Sequence, residues 1–170
     1  MNHFRRFLSR FARHDSGIST VEFALLAPTF ALLICVSLDF GITMLTQSTL
    51  DNAARDASRL IMTGQIQNAG GSAAPFSAKL CSELGTLIPC TGIQYNVQSA
   101  TTFAALNGTV TPNAGGNMST QGFSPGVSGS DVLVQVGYNR STLIPWVGQF
   151  YHTGGKILIV STVAFQNDPY

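Results

Sequence analysis

The chain has 170 residues, of which 45% are apolar and only 10% charged, and its net charge is +1. That length holds one modest core plus an accessory segment, which excludes two ordinary globular domains. The charged content lies well below the ~25% of soluble proteins, so an electrostatic partner needs a local patch.

The one such patch is N-terminal. Arg5, Arg6, Arg10 and Arg13 stand against Asp15 alone, and the chain that follows is almost uncharged. From Ile18 to Leu38 the sequence reads ISTVEFALLAPTFALLICVSL, with Glu22 as its single charge. At 1.5 Å per residue this run spans about 30 Å, the hydrocarbon thickness of a bilayer. Arginines before the span, with Asp39 and Asp51 after it, predict a cytoplasmic N-terminus and an outer C-terminal domain by the positive-inside rule. A cleaved secretory signal is disfavoured, because the run holds an acid, exceeds the usual h-region of about 7–15 residues and lacks a closing small-x-small site. Cys35 follows Leu33-Ile34, without the small residue of a lipoprotein site, and reads as a packing residue. Pro28 removes one backbone hydrogen bond within the span and predicts a bend or local loosening.

Beyond the span, Ile42, Leu45, Leu50, Ala53, Ala54, Ala57, Leu60 and Ile61 recur near helical spacing, with Gln47, Asp51, Arg55, Asp56 and Arg59 mostly elsewhere. The helix is expected to continue as an amphipathic extension to about Thr63, with Gly64 as its stop. Asp51 and Arg55 are spaced for a weak i,i+4 pair, or simply form a solvated face. Phe76, Leu80 and Leu84 repeat every four residues behind Pro75 and predict a second helix over 75–84. Tyr95 to Val97, Val132 to Tyr138 and Ile157 to Phe165 read as strands. Parallel pairing needs crossover helices that the sequence lacks, so the expected sheet is antiparallel. Residues 107–130, rich in Gly, Ser, Asn, Thr and Pro, read as a flexible surface loop.

Little here suggests chemistry. His3 and His14 precede the span, leaving His152 as the outer domain's one imidazole, so no metal set of ordinary spacing exists. Glu83, Asp131, His152 and Asp168 are scattered, and no nucleophile elbow, P-loop or dinucleotide motif accompanies them. The protein is therefore expected not to be an enzyme and to need no cofactor. Arg55, Arg59, Lys79, Arg140 and Lys156 are too dispersed for a nucleic-acid footprint. Cys81 and Cys90 fall outside the membrane, where disulfides are permitted, and are expected to pair; the alternative is two buried thiols. The segment from Leu143 to Tyr151, with Trp146, Phe150 and Tyr151, either closes the core or anchors another subunit.

The run from Gly17 through Glu22-Phe23 resembles the processing site of prepilin-like proteins, which are cut after such a glycine by a membrane aspartyl peptidase. The fuller pattern, Gly17 through Val21-Glu22-Phe23 to Pro28, then Asp39-Phe40-Gly41 and Asn52 to Arg59, resembles the TadE-like family. Its members are minor pilins, or pseudopilins, of the bacterial Tad (tight adherence, Flp) pilus and secretion machinery. The resemblance is specific over residues 17–59 and much weaker beyond. Two relatives fit less well. The major Flp pilin is far shorter, and TadG-like proteins are longer and often carry an Asp-x-Ser-x-Ser metal loop. Here Asp56-Ala57-Ser58 is followed by Arg59-Leu60.

The resemblance implies a bacterial inner-membrane protein cut between Gly17 and Ile18 by a prepilin peptidase. Its other implied partners are Tad/Flp pilins, inner-membrane assembly proteins and membrane lipid. Glu22, with Phe23 beside it, is implied to act in assembly: its carboxylate lies about 6 Å along the helix from the amine that cleavage creates at Ile18. The resulting organisation is a basic leader over 1–17, a transmembrane helix over 18–40, an amphipathic extension over 41–64 and an extracytoplasmic domain over 65–170. The expected fold is α+β and pilin-like, a long helix packed on a small antiparallel sheet. The competing reading is an unprocessed bitopic envelope protein whose outer domain binds a ligand or scaffolds a complex.

Overall fold

The computed structural model describes residues 16–142 and 156–170. Most of the basic leader and the segment carrying Trp146, Phe150, Tyr151 and His152 lie outside the described residues. The chain divides into two compact units, Met1–Phe40 and Gly41–Tyr170. Its class is α+β, with helices α1 (Ser16–Met62), α2 (Gln65–Asn68) and α3 (Ala74–Leu84), and strands β1 (Ile93–Ala100), β2 (Gly122–Phe123), β3 (Asp131–Ser141) and β4 (Lys156–Gln166).

α1 continues on both sides of Pro28. In the second unit it buries Leu50, Ala53, Ala54, Ala57 and Ile61 completely. Those positions form one stripe at helical spacing and share one core with Val132, Val134 and Val136 of β3. Two members of the predicted stripe do not belong to it: Ile42 and Leu45 are 41% and 53% exposed. Asp51 accepts a hydrogen bond from Gln47 Nε2 at 2.9 Å, so its recorded partner is Gln47 rather than Arg55. The helix closes at Gly64, whose φ of 72° is left-handed and whose N–H donates to Ile61 O at 3.0 Å. Only glycine takes that conformation at little cost.

α2 buries Ile66, and Gly71 N–H donates to Ile66 O at 2.8 Å, turning the chain toward α3. α3 has Pro75 in its first turn and buries Phe76, Leu80 and Leu84, the predicted every-fourth-residue stripe. Phe76 meets Tyr95 of β1 edge-on at 5.4 Å between centroids and lies 5.6 Å from Phe123 of β2, so α3 is keyed to the sheet by aromatic contacts.

The strand order is β2-β1-β3-β4. β1/β3 and β3/β4 are antiparallel, with Val97 opposite Val134 and Val134 opposite Val163. Val132, Val134 and Val136 share one face of β3 and are all fully buried in the core with the α1 and α3 stripes. The expectation of a wholly antiparallel sheet fails at β1/β2, which pair in parallel through Asn96↔Gly122 and Val97↔Phe123. The connection 101–121 supplies the crossover as irregular chain, which suffices because β2 has only two residues.

Residues 107–130 lie mostly exposed at the surface, as their composition predicts, but part of this loop is anchored to the sheet. Residues 107–121 form a strap laid across the sheet's second face. Gln135 Nε2 donates to Gly108 O at 3.0 Å, Met118 N–H donates to Gln94 Oε1 at 2.6 Å, and a bridge joins Pro112 to Met118. Met118 is 1% exposed and seats against Gly137, where a Cβ would lie 2.9 Å from Met118 Cγ. The second face is polar because Asn96 and Gln135 are buried there, Asn96 Nδ2 donating to Gln135 Oε1 at 3.2 Å. Such amides need partners when water is excluded, and the strap's backbone supplies one of them.

Candidate functional site

The apolar stretch of α1 is long and apolar enough to cross a membrane, and the protein buries none of it. Val21, Phe23, Leu25, Leu26 and Phe30 are 61–72% exposed. Continuous apolar exposure on that scale is rare in water-soluble monomers and marks a surface meant for lipid or protein. Phe23, Leu26, Ala27, Phe30, Leu33 and Ile34 line a shallow apolar groove along one side of the helix. Ser37 Oγ donates to Leu33 O at 2.8 Å, which satisfies its hydroxyl inside the apolar run.

Gly17 and Ile18 fall in the first turn of α1, where backbone N–H groups lack intrahelical partners. A peptide bond there opens to extended geometry at lower cost than one in mid-helix. Glu22, exposed, stands one turn beyond Ile18, and at 100° per residue it borders the stripe of Leu26 and Leu33. Phe23, 72% exposed, faces the groove. α1 therefore gathers Gly17, Ile18, Glu22 and Phe23 within two turns.

The remaining candidates lie apart from these. Cys81 near the end of α3 and Cys90 form a disulfide with a Cα–Cα distance of 5.5 Å, which clips α3 to the start of β1. Cys35 is free and exposed on the apolar helix. Lys79 pairs with Glu83 one turn on, and the hydrogen bond to that carboxylate raises the Lys79 pKa above its usual 10.5. Asp131 is 7% exposed, and its Oδ1 has no hydrogen-bond partner among the described residues. Among the described residues no group of three or more His, Cys, Asp or Glu gathers in one place.

Periodicity misses two contacts. Arg140, 9% exposed at the end of β3, donates from Nη1 to Thr43 Oγ1 at 2.7 Å. Gln47 Nε2 similarly reaches Val160 O of β4 at 3.2 Å. Polar side chains thus fasten the part of α1 that precedes its buried stripe to the end of β3 and the middle of β4, and nothing in their local spacing announces it.

No curated protein and no solved structure matches this chain. Residues 17–59, the stretch that carries the exposed helix, Glu22 and the start of the buried stripe, match the model of the TadE-like protein family.

Proposed function

We propose that this chain is a structural minor pilin, or pseudopilin, of a Tad/Flp-type pilus, without enzymatic activity of its own. It enters the bacterial inner membrane with its N-terminus cytoplasmic and its sheet domain outside, and a prepilin peptidase removes residues 1–17. The new amine at Ile18 and the Glu22 carboxylate then neutralise each other within one subunit or between neighbours. Other Tad pilins and inner-membrane assembly proteins cover the apolar helix once it leaves the lipid, and the assembled apparatus serves tight surface adherence.

The observation that carries this reading is the uncovered apolar half of α1, which begins at the Gly17/Glu22 pair and falls within the TadE-like match. A free acid within an apolar span costs on the order of 2.5–3.5 kcal/mol at mid-membrane on insertion scales, so a partner for Glu22 has energetic value. The deciding experiment is the N-terminal residue and intact mass of the protein isolated from membranes of a strain with its own peptidase. Ile18 at the N-terminus supports the pilin reading. An intact leader instead supports an unprocessed bitopic protein whose outer domain binds a ligand or scaffolds a complex.

A further inference from the structure

Asn107-Gly108 is the one Asn-Gly pair in the sequence, and it opens the strap over the sheet's polar face. Both residues are exposed, and a Cβ at Gly108 would meet nothing within 4 Å, so no neighbour crowds the Gly108 Cα. Its N–H donates to no other group among the described residues. Around this peptide the fold places two donors. Gln98 Nε2 on β1 faces Asn107 O at 3.4 Å, and its Oε1 receives the Asn107 N–H at 3.3 Å. Thr109 N–H donates to Asn107 Oδ1 at 3.0 Å.

We propose that Asn107-Gly108 is a self-modification site at which the folded strap promotes conversion of Asn107 to aspartate and isoaspartate. The Gly108 N–H proton passes to solvent base, and the resulting charge delocalises onto Asn107 O, where Gln98 Nε2 donates. The Gly108 nitrogen then attacks Asn107 Cγ. A new C–N bond forms, and negative charge moves to Oδ1, where Thr109 N–H donates. Collapse breaks the Cγ–Nδ2 bond, and the side-chain nitrogen leaves as ammonia after taking one proton from water. One water then opens the five-membered imide at either carbonyl, giving aspartate or its backbone-lengthened isomer. The sum is asparagine plus water to acid plus ammonia, with no redox change. Both donors stand where charge develops, the arrangement by which preorganised dipoles lower a barrier.

Asn113 provides an internal comparison. Its Oδ1 accepts from Gly115 N–H at 2.9 Å and Asn117 N–H at 3.0 Å, yet the nitrogen that would have to attack belongs to Ala114, whose side chain crowds it. The consequence at Asn107 is structural. A negative charge appears beside Gln98, and isoaspartate adds a methylene between the atoms that Gln98 holds and the Gly108 carbonyl that Gln135 holds. The strap loosens at its first anchor.

The test incubates the full chain in detergent, folded and in urea, and follows each asparagine by peptide mapping with mass spectrometry. In the folded chain Asn107 is expected to convert at least as fast as in the unfolded one, faster at alkaline than at neutral pH, with Asn113 unchanged. Gln98→Met removes the donor at Asn107 O and is expected to slow the folded reaction roughly tenfold while leaving the unfolded rate alone. Gly108→Ala should slow both. An Asn107 that stays intact when folded yet converts in urea overturns the proposal, as does a folded rate indifferent to Gln98→Met. The wild-type comparison stands even if the Gln98 variant folds poorly.

Discussion

The ring of Tyr170 lies against Gly64, so close that a Cβ on Gly64 would come within 2.8 Å of Tyr170 Cδ2. One glycine therefore does two things, taking the left-handed turn that ends α1 and leaving room for the C-terminal chain to fold back over it. Asp168 N–H donates to Met62 O at 2.9 Å and ties that chain to the helix end. Gly64→Ala is expected to cost about 1–2 kcal/mol from the left-handed backbone alone, plus the collision with the ring. Adding Tyr170→Ala should recover only the collision. Equal thermal midpoints for Gly64→Ala and wild type would contradict this account.

The Cys81–Cys90 bridge closes a sequence separation of 9. A loop that short contributes about 2–3 kcal/mol on the chain-entropy model. The double Cys81→Ala/Cys90→Ala variant should lose that much in urea unfolding of the sheet domain. Alkylation of the unreduced, unfolded wild type should label Cys35 alone; labelling at all three cysteines would exclude the bridge.

Met118 and Gly137 test the strap. Gly137→Ala pushes the Met118 side chain out of its seat and is expected to destabilise by about 1–3 kcal/mol, the usual cost of overpacking. In a Met118→Ala background the same change should cost much less. Additive effects would show that the two do not share space.

Gly17→Leu addresses processing. This variant should accumulate in the membrane as a precursor heavier by the leader, while wild type appears at the mature mass. If both have one mass, the prepilin reading loses its main support.

Glu22→Gln keeps the size of the side chain and removes its charge. The variant is expected to insert, to fold outside and to be cleaved, yet to fail to join the pilus apparatus. Its exposed position on α1 is consistent with a role outside folding. Full piliation with the variant as sole copy would sink the assembly role.

Local pattern was enough where a residue's neighbours along the chain decide its fate. The apolar run from Ile18, the stripe from Leu50 to Ile61, the every-fourth-residue face of α3 and the alternation of Val132, Val134 and Val136 are periodicities of a single element, and each element formed where its period placed it. Gly64 likewise needed only its own backbone conformation to be read as a stop. Pairing was different. Backbone N–H and C=O groups are the same on every residue, so nothing in the two residues Gly122-Phe123 distinguishes a parallel partner from an antiparallel one. That choice fell to tertiary contacts, with Phe123 packing beside Phe76 and Tyr95. Composition placed 107–130 in a surface loop but could not show its anchoring, because polar residues near buried amides read the same as polar residues in water; the Met118 seat at Gly137 exists only once the strap and β3 are in place. Ile42 and Leu45 are apolar and yet stay exposed, because at 100° per residue they fall about 80° and 140° from the centre of the buried stripe, while Thr43 and Thr46 continue it, Thr43 bonding to Arg140 and Thr46 being buried; apolar spacing alone did not say which face the folded sheet would cover.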